Sequence, residues 1–196
     1  MPNWCSTNID ICFSTESEAL MFNALLDSWM SVSAKSDFGA SWLGNILINA
    51  GIATVGEDGR IVSDYRCRGS VAWSELDDTV VHIQTETAWC PMLSMWVAIL
   101  EKYAPDASIT YTAEECGCCM YVSNDDSVVG LYNIDSCNDS VDSAWLVSFD
   151  CVKGVIREVL NIDYTKDTLS DDILESLRDN DIYINQYEYA EISDFD

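Results

Sequence analysis

At 196 residues the chain is long enough to bury one sizeable core or two small ones without a metal or disulfides to hold it together. Hydrophobic residues make up 48%, with seven Trp, nine Tyr and five Phe, which is too much apolar material for a disordered polyanion. Nine basic against 34 acidic residues leave a net charge of −25, which repels phosphate backbones and anionic lipid; direct nucleic-acid or membrane binding is disfavoured, and the matching partners are cations or basic proteins.

The opening NWCSTNIDICF alternates as a strand, with Trp4, Ile9 and Ile11 as inward candidates. It lacks the basic and apolar regions of a secretory signal, and no apolar run approaches the roughly 18 residues that cross a bilayer. The expectation is a cytoplasmic protein whose nine irregularly spaced cysteines stay reduced and pack as small hydrophobes. Thr15 and Glu18 form a capping box that opens a helix with Phe22, Leu25, Leu26 and Trp29 on one face. SWLGNILINAG predicts a short helix ending at Gly51, and GEDG at 56–59 a turn.

ELDD then predicts a hairpin turn into the strand TVVHIQTETAW (79–89), with Val81, Ile83, Thr85 and Thr87 on one side and His82, Gln84 and Glu86 on the other. Pro91 suits the first turn of a helix, whose face is Leu93, Trp96, Leu100 and Tyr103 and whose stop is YAPD. ASITYTAEECGCCMYVSNDD carries two more strand-like runs. The order strand, helix, strand, strand, helix, strand predicts an α+β, ferredoxin-like antiparallel sheet with two helices on one face, over residues 1–125. Trp4, Phe22, Trp29, Trp89, Trp96 and Tyr103 are its expected large core residues.

Residues 126–196 read as an acidic, mainly helical extension, packed on or tethered to that domain. SFDCVKGVIREVLN and TLSDDILESLRDN are amphipathic; in the second, Ser170 is the N-cap, Asp171 and Asp172 suit the helix dipole, and Ile173, Leu174 and Leu177 make the apolar stripe. DIYINQYEYAEI fits a closing edge strand with acids that discourage edge-to-edge association. The negative charge is concentrated in this half: no Lys or Arg lies between Lys102 and Lys153.

Two segments carry a resemblance. MPNWCSTNIDI, and VHIQTETAWCPMLSMWVAILEKYAPDASITYTAEECG with Trp89, Pro91, Tyr103, Pro105, Glu115 and Gly117, resemble the YubB-type ferredoxin-like family of phage and plasmid proteins. The resemblance covers about the first 125 residues. It implies a ferredoxin-like domain in a mobile genetic element and transfers no catalytic motif.

The chemistry-bearing residues admit several readings. Cys116, Cys118 and Cys119 suggest zinc, a redox pair or plain strand thiols; strand alternation sends Cys116 and Cys118 to one face and Cys119 to the other, and no second cysteine pair or histidine pair completes a zinc site. His82 reads as a general base or as a half-exposed sheet residue. Glu86, Glu114, Glu115, Asp125 and Asp126 could gather around magnesium for phosphodiester cleavage, but the basic residues that would hold the substrate are missing from this stretch. Tyr111 and Tyr121 could stack on bases from a sheet face, again without the basic footprint. No Gly-x-Ser-x-Gly elbow or phosphate-cradling glycine loop is present, so neither a cofactor nor a metal is expected.

Duplex DNA carries one negative charge per about 1.7 Å of axis. A helix over SDDILESLRDND, rising about 1.5 Å per residue, would set Asp171, Asp172, Glu175, Asp179 and Asp181 at comparable spacing. The leading expectation is a mobile-element protein, acting in the cytoplasm of a bacterial host cell, that binds and inhibits a basic nucleic-acid-binding host protein, such as a CRISPR effector or restriction enzyme, by mimicking nucleic acid. Asp125, Asp126, Asp135, Asp139 and Asp142 join those five as expected partner-binding residues. The alternatives are a metal-dependent nuclease or other enzyme acting on a defence component, and a general protein-interaction module.

Overall fold

The computed structural model describes residues 3–34 and 38–195. The chain forms two compact units, one running to Met120 and including the segment from Ala190, the other Tyr121–Tyr189. In the first lie β1 (Trp4–Cys12), α1 (Glu16–Met30), α2 (Leu43–Asn49), β2 (Thr54–Val55), β3 (Ile61–Val62), β4 (Gly69–Asp77), β5 (Val80–Ala88), α3 (Leu93–Tyr103) and β6 (Ser108–Glu115), and there β7 (Met120–Ser123) begins. The second holds β8 (Tyr132–Ser136), β9 (Ala144–Val147), α4 (Phe149–Leu160), α5 (Asp171–Arg178), β10 (Ile182–Gln186) and β11 (Glu188–Tyr189). Among the described residues the protein is mixed α+β, with five helices and a six-stranded mixed sheet in the order β11-β7-β6-β1-β5-β4. A three-stranded sheet, β10-β8-β9, and the β2–β3 ribbon complete it. Among the described residues no helix is long and apolar enough to cross a membrane.

The six large aromatics expected in the first unit's core divide three and three. Along β1 the odd positions Cys5, Thr7, Ile9 and Ile11 are buried. Strand side chains alternate with period two, so Trp4 points the other way and is 55% exposed. Trp89 sits just past β5 with φ of 76° and is 52% exposed. Tyr103, at the end of α3, is partly exposed, since its hydroxyl reaches out to donate to the Ala50 carbonyl at 2.7 Å.

Phe22, Trp29 and Trp96 are buried as expected. Thr15 caps α1 by accepting from the Glu18 backbone N–H at 3.3 Å, which sets the helix phase and turns Ala19, Phe22, Leu26 and Trp29 inward. Rings then follow one another from Phe13 to Phe22 (5.3 Å), Trp29 (6.1 Å) and Tyr103 (4.9 Å from Trp29). The Lys102 ammonium donates to the Ala50 and Gly51 carbonyls, satisfying orphan acceptors past the end of α2 and placing a cation at its negative pole. Pro91 lies outside α3, whose N-cap is Met92.

The extension differs from a mainly helical one. Its core of Tyr132, Ile134, Val152, Ile156, Leu177, Ile182 and Ile184 is shared between α4, α5 and the sheet β10-β8-β9. Short apolar runs such as YNI and IYI are too brief for periodicity to separate strand from helix. Beside it Tyr121, Val128 and Tyr187 form a small second cluster.

Trp96 is fully buried and Trp4 mostly exposed, so the two tryptophans should respond oppositely to truncation. Trp96→Ala is expected to cost about 3–5 kcal/mol, and Trp4→Ala under about 1 kcal/mol, measured by urea unfolding of the full chain.

Candidate functional site

The cysteine cluster is an exposed turn. Cys116–Cys118 is a 3-10 turn rather than a strand, and Cys119 follows in the left-handed region at φ of 53°. The cause is Glu115, a buried carboxylate that accepts from the Gly117 N–H at 3.0 Å and the Cys118 N–H at 2.7 Å, which curls the chain out of β6. All three thiols are exposed, contrary to the packing of buried strand cysteines. The hydrogen bond to Glu115 holds the Cys118 thiol above its ordinary pKa, which works against a reactive thiolate. No group of three or more His, Cys, Asp or Glu among the described residues is placed to hold a metal ion.

The even positions of β1 and β5 form the open face of the first unit's sheet. His82 is half-buried there, and its Nδ1 lies 2.7 Å from an Asp10 carboxylate oxygen, a cross-strand partner set by the Asp10–His82 register. Ser6 stands in register with Glu86 on one side and Glu114 on the other, so these two carboxylates share a face. Glu115 points to the opposite face and is committed to its turn, while the Asp125 carboxylate accepts from the Ser127 N–H at 2.8 Å. The five acids weighed as a magnesium site thus have at least two with structural duties. Tyr111 and Tyr121 are both buried; the Tyr111 hydroxyl donates to the Ala190 carbonyl, and Tyr121 packs edge-on against Tyr187, so neither offers a face to a base.

Of the ten acids expected to meet a partner, nine are exposed and Asp125 is half-buried. They do not form one helical row. Helix α5 ends at Arg178, with Asp179 as its C-cap and Asp181 beyond it at φ of 58°; only Asp171, Asp172 and Glu175 lie on it. Ser170 occupies the N-cap position without a side-chain cap hydrogen bond. Elsewhere two loops meet: the Cys137 N–H donates to the Asp181 carbonyl at 3.0 Å, and the Asn138 side-chain amide donates to the Asn180 carbonyl at 3.0 Å. This joins the loop bearing Asp139 and Asp142 to the turn bearing Asp179 and Asp181. Among the described residues the unit's ion pairs are Lys153–Asp150 and Arg157–Asp163, which use none of the ten.

Sequence reasoning missed Trp145 in this unit. It is 63% exposed on β9, an edge strand of its sheet, beside Leu146, which is also exposed. Tyr183 is exposed on the other edge strand, β10, in register with Asp135. A lone aromatic inside an alternating-looking segment gives no sign of which way it points.

The first unit contains a cleft of about 730 Å³ that sequence reasoning also missed, lined by Phe38, Trp42, Arg66, Cys67, Arg68, Ala88, Trp89, Cys90 and Met92. Segment 38–42 is held on β4 by the Trp42–Ser70 bridge and by the Val71 N–H donating to the Ser41 carbonyl at 2.9 Å. Phe38 and Trp42 stack at 4.0 Å between centroids, 17° from parallel. Gly44 seats the Trp42 indole, since any side chain there would run into the ring and into Ile61. Arg66 donates to the Cys90 sulfur at 3.8 Å, and burial pushes the Cys67 thiol up, keeping it neutral. The available signal was charge scarcity: three of only nine basic residues, Arg60, Arg66 and Arg68, fall within one short segment.

Comparison with known proteins finds no matching family model, no similar curated protein and no similar solved structure.

Cys5 supplies a pH signature of the first unit's core. Burial pushes its thiol from 9.0 to about 11, so the folded state keeps the proton after the unfolded chain has released it. The associated stability is complete below about pH 9 and is lost as pH rises through about 11. Urea midpoints are therefore expected to fall across that window, and to fall less steeply in Cys5→Ala.

Proposed function

We propose that the first unit is a ferredoxin-like domain of the YubB type from a mobile genetic element, and that the second is an acidic docking module for a basic protein. The fold part rests on the strand order β6-β1-β5-β4, with every pair antiparallel where β1 meets β5 and β6 and where β4 meets β5. Helices α1 and α3 follow the first and third of these strands in the chain, as a split βαβ unit requires.

The observation that carries the docking part is the junction of the loop after β8 with the turn after α5, which brings together the loop bearing Asp139 and Asp142 and the turn bearing Asp179 and Asp181. Asp179 and Asp181 sit at the negative pole of α5, where a carboxylate is disfavoured by about 0.3–1 kcal/mol. The left-handed backbone at 181 gives Asp181 a local reason, since Asp tolerates that region, but Asp179 has none, whereas a basic partner would account for it. Exposed Trp145, Leu146 and Tyr183 provide apolar anchors beside the charge, the combination that concentrates binding energy in interfaces. The partner class this fits is the nucleic-acid-binding surface of a host defence protein, such as a CRISPR effector or restriction enzyme, occupied by carboxylates in place of phosphates. The short α5 leaves continuous mimicry of a DNA strand to the loops, so the anchors share the work.

The test uses the full chain as bait in bacterial lysate, with duplex DNA as competitor. Retained proteins are expected to be nucleic-acid-binding, released by DNA and by raising salt from about 0.1 to 0.5 M, over which screening shortens from about 10 Å. Asp139→Lys, Asp142→Lys, Asp179→Lys and Asp181→Lys combined should slow association at least tenfold, and Trp145→Ala should speed dissociation. Retention at full strength by the charge-reversed protein would exclude the docking reading.

A further inference from the structure

The cleft of the first unit combines three features: a strained and exposed indole, a second exposed aromatic, and positive charge. Trp89 is a bulky residue in the left-handed region, a strained conformation that persists only where its surroundings impose it. They do: the Trp89 N–H donates to the Asn3 carbonyl at 2.9 Å, the Ala88 N–H to the Arg68 carbonyl at 3.0 Å, and the Thr87 hydroxyl to the Cys90 carbonyl at 2.8 Å. The result is an indole held half in solvent at the mouth of the cleft rather than buried. Phe38, across the same cleft, is also exposed while stacked on Trp42.

The third feature is charge. Arg66 and Arg68 are exposed, no described carboxylate pairs with either, and no acid among the described residues lines the cleft, although the chain has nearly four acids for every base. Two guanidiniums two residues apart match a dianion with several acceptor oxygens, such as a phosphate monoester, which carries about −1.5 to −2 at pH 7. A single carboxylate would leave one guanidinium unmatched. Aromatic faces beside guanidiniums favour a flat, electron-rich ring. The volume falls within the roughly 300–1,000 Å³ of small-molecule sites.

We propose that this cleft binds a nucleoside monophosphate, its base against Trp89 and the Phe38–Trp42 pair and its phosphate on Arg66 and Arg68. The same chemistry occurs in a free nucleotide and at the 5′ end of a strand. A chain at −25 repels a polyanion far more than a dianion, which favours the free nucleotide. The inference concerns the first unit and stands apart from the docking reading of the second.

The experiment titrates the full chain with AMP, adenosine, inorganic phosphate and a 5′-phosphorylated deoxyadenosine tetranucleotide, by calorimetry and tryptophan fluorescence. AMP is expected to bind with an affinity at least tenfold above adenosine and phosphate alone, and Arg66→Ala with Arg68→Ala should lower it at least tenfold. Trp89→Gly separates binding from folding, because glycine accepts the backbone conformation at 89: affinity for AMP should drop while the melting temperature holds or rises. Tighter binding of the tetranucleotide than of AMP would assign the site to strand ends; weaker binding assigns it to the free nucleotide. Absence of heat and quenching up to ~5 mM AMP, beyond the millimolar limit of weak specific binding, would overturn the proposal, as would unchanged affinity in the double arginine variant.

Discussion

Strand β1 is hydrogen-bonded on both sides, to β5 and to β6, and its register decides what the first unit buries and what it shows. With the odd residues inward, Cys5, Thr7, Ile9 and Ile11 meet Val81, Ile83, Thr85 and Thr87 in the core. The even residues then present Ser6, Asn8 and Asp10 beside Glu86, Gln84 and His82. A one-residue slip of β1 would exchange its two sets, taking Ser6, Asn8 and Asp10 into an apolar layer, so the register is strongly specified. Thr7, Thr85 and Thr87 soften the core side, and Thr87 turns this to use by donating to the carbonyls of Cys5 and Cys90.

The same register sets what happens at the end of β5. Trp4 faces Ala88, after which the chain must leave the sheet toward α3, and Trp89 makes that exit through a left-handed residue. Gly69 allows β4 to approach, because a side chain there would strike the Glu86 carbonyl and Thr87. Arg66 and Arg68, immediately before it, are thereby delivered to the mouth of the cleft. A packing requirement in the sheet and a ligand-sized opening at its edge thus have one cause.

The elements whose signal is periodic were legible from the residues. The N-cap at Thr15, the turn at Gly59, the buried odd positions of β5 and the α3 face at Leu93, Trp96 and Leu100 all stand where capping, alternation or 3.6-residue spacing puts them. What was illegible depends on longer reach. Parity excluded Trp4 from the core, and size alone gave the wrong expectation. Glu115 looks like any acid, yet its burial and two backbone hydrogen bonds turn a strand of cysteines into an exposed loop. The acids of 135–142 and 179–181 are far apart in sequence, and only the β8–β10 pairing and the bonds at Asn180 and Asp181 bring their loops together. The cleft needed three segments, 38–42, 66–68 and 88–92, to coincide.

On the docking reading, charge and apolar surface have separable tasks. Fifteen acids against four bases in residues 121–189 create a field that acts over about a Debye length, roughly 8 Å at physiological salt, and so governs encounter. That field has little directional content, because exposed carboxylates on loops hold no fixed spacing against a phosphate lattice. Orientation must come from groups with shape. Tyr183, between buried Ile182 and Ile184 and in register with Asp135, and Trp145, raised on an edge strand whose Ala144 and Val147 pack on the unit's core, are the ones with shape. A surface of this kind associates fast with any basic protein and stays long only on one that offers a pocket for the indole, so selectivity resides in dissociation rather than in the −25 charge.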